Sequence, residues 1–281
     1  MGIERMKRSA SPNNTDLVRP YRFESYGVRV EITGNDQDLI DGAAETARTS
    51  LLGNVRRVRN GKFDHYFELN RTPGGTLVFI QNHKRISSGR SLKKFYKFFD
   101  SIIRVSVGEF AVDRVFLHAG VVGWKGKAIV FPADSFQGKS TLVAELVRNG
   151  ASYYSDEFAV FDKDGLVHPF PRAISMRDKR FMPYKLTVED LNGTYGLEPI
   201  PVGMVILTRY EPDKKWRPKI LSSGKGVLEM IPFTLPIRVR PDFSVQVLNK
   251  IASRATIASS IRGPAEEVAK TLLRFVDKHS G

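Results

Sequence analysis

The sequence predicts an α/β chain with a mixed sheet, and three observations carry that expectation. Short β-like runs alternate with amphipathic helical stretches from Tyr26 onward. One run, Lys127 to Phe131, leads through a glycine-containing loop into a helix. After Phe161 the pattern turns strand-rich and closes on a final helix.

A length of 281 residues allows one large domain or two small ones with a sizeable core. No apolar run approaches the roughly 18–20 residues that cross a bilayer, so no membrane segment is expected. The polar stretch Met1 to Pro20 lacks the apolar centre of a signal peptide, and Met6 stands where N-myristoylation wants Ser or Thr. With no cysteine there is neither a disulfide framework nor a thiolate metal site, and the simplest expectation is a cytoplasmic protein. The net charge of +14 suits either the solubility of a scattered basic surface or a partner that is a phosphate group, an acidic protein or peptide, or nucleic acid. Lys84, Arg85, Arg90, Lys93, Lys94 and Lys97 cluster locally, but no zinc-finger, helix-turn-helix or RNA-recognition signature accompanies them, so nucleic acid is not the expected partner.

Residues 1–20 read as a flexible tail, because Ser9 to Thr15 is turn-forming and aperiodic. Residues 21–112 read as an N-terminal α+β region. Tyr26 to Ile32 alternates as a strand does, Asp36 to Leu52 suits a helix, and Asp64 to Leu69 and Thr76 to Ile80 suit strands around the turn Pro73-Gly74-Gly75. Leu92, Phe95, Phe99 and Ile102 recur at helical spacing within Ser91 to Ile103 and are expected to face a core. Residues 113–281 hold the remaining motifs. Gly165 to Pro171 turns into an extended stretch, Met204 to Thr208 reads as a buried strand, and Asp178 to Leu197 reads as polar and irregular. The last helix begins at Gly263-Pro264, with Glu266 and Glu267 at its positive end.

The loop Ala133-Asp134-Ser135-Phe136-Gln137-Gly138-Lys139-Ser140 follows the phosphate-loop consensus G-x-x-x-x-G-K-S/T, except that alanine replaces the first glycine. Such a loop turns backbone N–H groups toward phosphate and feeds a helix whose N-terminus faces the same anion. Gly138 allows close backbone approach, Lys139 reaches the β- and γ-phosphates, and the Ser140 hydroxyl can ligate Mg²⁺. From Thr141 the chain is helical, Leu142, Val143, Leu146 and Val147 forming its apolar face, and Gly150 suits a left-handed cap. Asp156 and Glu157 come at the next strand, where an acid can hold Mg²⁺ or take a proton from a hydroxyl. His118 precedes the loop and can steer a proton or contact phosphate.

His118-Ala119-Gly120, the loop from Asp134 to Thr141, and Asn149-Gly150-Ala151 leading into Ser155-Asp156-Glu157 together resemble the catalytic domain of the HPr kinase/phosphorylase family. That resemblance implies a P-loop core shared with phosphoenolpyruvate carboxykinase, here in residues 113–281. It implies that residues 133–141, Thr141 included, bind ATP, that Ser140 with Glu157 binds Mg²⁺, and that Asp156 is the base beside His118. Arg172 is expected as a further phosphate or substrate contact. The chain departs from the family at Ala133 and Phe136, where glycine is usual, and at Glu157, where aspartate is usual. The family's Glu-Ile/Val-Arg-Gly-x-Gly turn is not found after Phe161. The expectation is therefore a kinase of the broader HPr-kinase-related set. It would use ATP and Mg²⁺ to phosphorylate a hydroxyl, serine above all, on a peptide or protein rather than HPr itself. A nucleotide-responsive binding protein without turnover and a small-molecule hydroxyl kinase stay open, as does a homo-oligomer.

Overall fold

The computed structural model describes residues 18–134, 137–177, 180 and 182–279. Residues 1–17 of the expected tail, and Ser135 and Phe136 of the loop, lie outside the described residues. The fold is mixed α+β with two large mixed sheets.

The first sheet comes from β1 (Tyr21–Ser25), β2 (Val28–Gly34), β3 (Arg56–Arg57), β4 (His65–Arg71), β5 (Leu77–Gln81) and β6 (Lys84–Gly89), in the order β3-β1-β2-β4-β5-β6. α1 (Gln37–Ser50) provides the crossover between the parallel strands β2 and β4. α2 (Leu92–Phe110) follows the sheet. Phe23, Val30, Ile32, Phe67, Leu69, Leu77 and Phe79 point inward at every second position and meet Leu39, Ala43, Phe95, Phe99 and Ile103 of the helices. Asp36 and Ser91 cap the two helices by accepting from the Leu39 and Lys94 amides.

Two expectations change here. Tyr26 does not open a strand. It shares with Gly27 the tight turn between β1 and β2, both at positive φ (50° and 76°). The turn docks on the start of the next region: the Val112 amide donates to the Tyr26 carbonyl, and the Tyr26 ring packs edge-on against Phe116. The second helix runs seven residues past Ile103, to Phe110, while Leu92 is exposed rather than core-facing.

The second sheet has nine strands and is buried on both faces. Its strands are β7 (Val115–Trp124), β8 (Lys127–Pro132), β9 (Ser152–Ser155), β10 (Phe158–Phe161), β11 (Leu166–His168), β14 (Thr194–Tyr195), β15 (Ile200–Tyr210), β16 (Lys219–Ile220) and β17 (Thr256–Arg262). A separate hairpin pairs β12 (Ile174–Arg177) with β13 (Pro183–Leu186). β8 lies between β7, antiparallel to it, and β15, parallel to it. On one face Ile129, Phe131, Met204 and Ile206 pack with α3 (Lys139–Arg148) and α6 (Ala265–His279). On the other, Ala128, Val130 and Val205 pack with α4 (Ser223–Met230) and α5 (Pro241–Arg254). Both faces being covered is why these strands read as continuous apolar runs.

α4 and α5 lie where a strand-rich pattern was expected. Asp178 to Leu197, expected to be irregular, contributes β13, a short 3-10 turn at Glu189–Leu191 and β14. Among the described residues, no helix is long and apolar enough to cross a membrane.

A charged knot joins the two sheets. Asp100 of α2 accepts from Ser50, Arg104 and Arg172, and Arg104 also pairs with Glu157. Burial works to raise the Asp100 pKa, but Arg104, Ser50 and Arg172 outweigh it and hold the carboxyl below its ordinary value. A carboxylate so held stabilises the fold above its unfolded pKa and loses that contribution as pH falls through the folded one. Asp100→Asn should therefore cost about 3 kcal/mol in urea unfolding at neutral pH. The gap from wild type should close in acid, and a variant equally stable at neutral pH would exclude this role for the knot.

Candidate functional site

β8 delivers the chain to the loop, and α3 carries it away. Gly138 is the N-cap of α3, at φ 76° and ψ 20°, with no side chain capping the first turn. The left-handed conformation is open to glycine at little cost, and it leaves the first amides of α3 directed outward as an anion site requires. A Cβ on Gly138 would also stand 2.7 Å from Arg262. The helix lies close on β7, since a Cβ on Gly120 would meet Val143 at 2.6 Å. Its far end closes at Gly150, at φ 94°, with the Gly150 and Ala151 amides donating to the Val147 and Leu146 carbonyls.

Lys139 is nearly buried, and among the described residues its ammonium meets the Ala133 carbonyl at 2.6 Å, the Asp134 carbonyl at 3.1 Å and His118 Nε2 at 3.3 Å. Burial lowers its pKa to about 8, against the opposing pull of Asp134 and Asp156. His118 is pushed down to about 4 by burial and then by Lys139, so it is neutral at neutral pH and accepts from Lys139. β7 aligns it opposite Phe158 of β10.

Asp156 occupies the break between β9 and β10, both of which pair with β7. Its Oδ2 accepts from Ser140 Oγ at 3.0 Å and from the Ser175 amide at 3.2 Å. Its Oδ1 lies 3.0 Å from the Tyr153 hydroxyl, which is also 2.7 Å from the Arg172 carbonyl. Tyr153 has one proton for these two acceptors. The two acceptors therefore share it. Burial raises the Asp156 pKa, and the bonds from Ser175, Ser140 and Tyr153 only partly offset this.

The site thus gathers His118, Ala133, Asp134, Lys139, Ser140 and Asp156. Gln137 and Gly138 complete the described part of the loop, and Thr141 lies in the first turn of α3. Two expected residues take other places. Glu157 does not approach Ser140; its carboxylate faces Arg104 and, at 3.7 Å, Arg172. Arg172 is committed to Asp100 at 2.9 Å and to the Ser50 carbonyl at 3.2 Å, so its guanidinium serves the knot. Asp156 and Glu157 together form the bend between β9 and β10, and there the first side chain meets Ser140 and the second Arg104.

Sequence reading missed Tyr153, Arg104, Arg262 and a cavity of about 790 Å³ beside the loop. Ala133, Asp134 and Gln137 line one wall of the cavity; Arg209, Lys214, Lys215, Arg217, Lys219 and Lys225 make it strongly cationic. Thr208, Ser259 and Ser260 add hydroxyls, and Leu207, Leu221, Phe233 and Ile261 add apolar surface. The usable signal was the density of basic residues from Arg209 to Lys225, which the nearby acids do not balance.

Ser140 and Asp156 are hard oxygen donors side by side, which fits a Mg²⁺ ion that completes its shell with phosphate oxygens and water. Among the described residues no group of three or more His, Asp or Glu forms a self-sufficient metal site.

The raised Asp156 pKa has a definite sign. Folding favours its neutral form, so its contribution to stability is full below the unfolded pKa and is lost as pH rises through the folded pKa. Asp156→Asn should raise the melting temperature at neutral pH without metal, and it should abolish any Mg²⁺-dependent rise. A lower melting temperature would contradict this account.

In comparisons with known proteins, the chain matches no family model and no curated sequence.

Proposed function

We propose that this protein is an ATP- and Mg²⁺-dependent kinase that phosphorylates a hydroxyl, serine above all, on a peptide or protein. The observation that carries the reading is the pairing of Lys139 with His118 and of Ser140 with Asp156 around the N-terminus of α3, which no side chain caps among the described residues. A core related to phosphoenolpyruvate carboxykinase, with an N-terminal α+β region, belongs to the same proposal.

The amides at the start of α3 and the Lys139 ammonium hold the triphosphate. Lys139 remains charged below about pH 8, and neutral His118 keeps its ammonium turned to the loop. Ser140 and Asp156 would hold Mg²⁺, which when bound supplies neutralising charge at the β- and γ-phosphate oxygens. The neighbouring cavity suits the nucleoside, offering apolar surface and hydroxyls to base and ribose. The acceptor oxygen bonds to the γ-phosphorus as the bond from that phosphorus to the bridging oxygen breaks. The hydroxyl proton passes to Asp156, and ADP leaves with the bridging oxygen. Burial raises the Asp156 pKa, which opposes the lowering that a bound cation would bring, and Oδ1, on the side away from Ser140, would be the oxygen that takes the proton.

The engagement of Glu157 by Arg104 and Arg172 favours a second reading, nucleotide-responsive binding without turnover. Incubation with Mg-ATP and a panel of serine-containing peptides separates the two. The kinase adds one phosphate to a peptide, whereas the binding protein only melts higher with nucleotide. A phosphorylated free metabolite with no modified peptide would point instead to a small-molecule kinase.

Lys139→Ala should lower transfer roughly 10³-fold, and Asp156→Asn roughly 10²–10⁴-fold, with the fold retained. Wild-type rates in the lysine variant would exclude this use of the loop. In the unmodified protein, affinity for Mg-ATP should weaken as pH rises through about 8, because Lys139 then loses its charge. Calorimetry in buffers of different ionisation enthalpy should show proton uptake on binding near that pH, and its absence would contradict the lysine assignment.

A further inference from the structure

Arg262 is the last residue of β17, and its side chain runs beneath the loop instead of out to water. It is 1% exposed. Its Nη2 donates to the Gly138 carbonyl at 2.7 Å and its Nη1 to the Gly263 carbonyl at 3.0 Å. Its Nε has no partner among the described residues, and its guanidinium carbon lies 5.6 Å from the centre of the Tyr210 ring.

A buried guanidinium ordinarily faces a carboxylate, because two carbonyl dipoles solvate a cation without cancelling its charge. Arg262 forms no ion pair among the described residues, although Arg22, Arg71, Arg104 and Arg172 all do. Tyr210 and Glu266 favour its charged form only from a distance, and burial prevails, lowering its pKa to about 10. The uncompensated charge lies directly under the residue that starts α3. At low dielectric a charge acts over several ångströms, so a phosphate group over the loop amides falls within its field.

The contact is also tight. A Cβ on Gly138 would be 2.7 Å from Nη2 and 3.4 Å from the Tyr210 Cβ, so the left-handed turn and the guanidinium must move together.

We infer that Arg262 is a positioning residue whose buried, unpaired charge is completed by the phosphate groups of a ligand at the loop, while its bond to Gly138 holds the turn that aims the first amides of α3 at them. This rests on the loop being a phosphate site, as proposed above. It adds a coupling: the cation that makes the ligand-free protein harder to fold is the one that tightens anion binding.

Charge and shape can be separated by three variants. Arg262→Lys keeps the charge and can keep one bond to Gly138. Arg262→Gln keeps hydrogen bonding without charge, and Arg262→Met keeps only bulk. Each is titrated calorimetrically with Mg-adenylyl imidodiphosphate, with inorganic pyrophosphate and with adenosine as the uncharged probe. The ligand-free melting temperature is read alongside. Arg262→Gln should bind the analogue and pyrophosphate roughly tenfold or more weakly, and Arg262→Lys should keep most of the affinity. Adenosine binding should be unaltered in both. Arg262→Met should melt at or above the wild-type temperature while the rise induced by the analogue shrinks. If Arg262→Met fails to fold, the contrast between lysine and glutamine decides alone. Equal affinity of those two variants for the analogue, or wild-type affinity in Arg262→Gln, overturns the inference. Wild-type protein that binds neither the analogue nor pyrophosphate overturns the underlying reading of the loop instead.

Discussion

Asp156 sits where water barely reaches it, and the groups around it are arranged to hold that one carboxyl. Ser140, Tyr153 and the Ser175 amide converge on its two oxygens from α3, β9 and β12. Each comes from a separate element, so the carboxyl ties the helix after the loop to the strand before the acidic pair and to the hairpin beyond. The bonds do not fully offset the cost of burial, so the carboxyl pKa stays above its ordinary value. A group in that condition has something to gain from a cation, and the Ser140 hydroxyl beside it supplies a second oxygen.

The cations around the loop follow similar logic at different depths. Lys139 and Arg262 are buried and bonded mainly to carbonyl oxygens, and burial depresses both pKa values. Lys214, Lys215, Arg217, Lys219 and Lys225 stand exposed around the adjoining cavity, where water meets their solvation. Buried charges act on a ligand at short range and through a low dielectric, whereas exposed ones are screened within about 8–10 Å at ordinary salt. On the proposed reading, the exposed cations would draw anions toward the cavity, and the buried ones would act at the first turn of α3.

The knot of Asp100, Arg104, Glu157 and Arg172 gives the N-terminal region a share in this centre. Arg104 comes from α2 yet neutralises the residue next to Asp156. The β1–β2 turn docks at Val112 and Phe116 as well, so the first sheet reaches the second through both packing and charge.

Local pattern made the central strand, the loop, α3 and its glycine cap legible, because each depends on residues close in sequence. The apolar run of β8, Gly138 at a left-handed cap and the amphipathic turns of α3 are all encoded within residues 127–150. α4 was harder to see than α5. α4 is only eight residues long and holds two glycines, whereas α5 buries Ser244, Val247, Leu248, Ile251 and Ala252 at regular helical spacing behind Pro241, a signal the residues did carry.

The sequence by itself determined which residues could meet phosphate: Gly138, Lys139 and Ser140 on one turn, with Asp156 and Glu157 one strand away. Tertiary structure alone decided which acid lies beside Ser140. At the bend between β9 and β10 Asp156 meets Ser140 while Glu157 meets Arg104, which lies more than fifty positions earlier in the chain. It also drew Arg172 into the knot and brought Arg262 beneath Gly138 across a separation of 124 residues. No periodicity or spacing carries such information, because these contacts join residues 53 to 124 positions apart on separate elements.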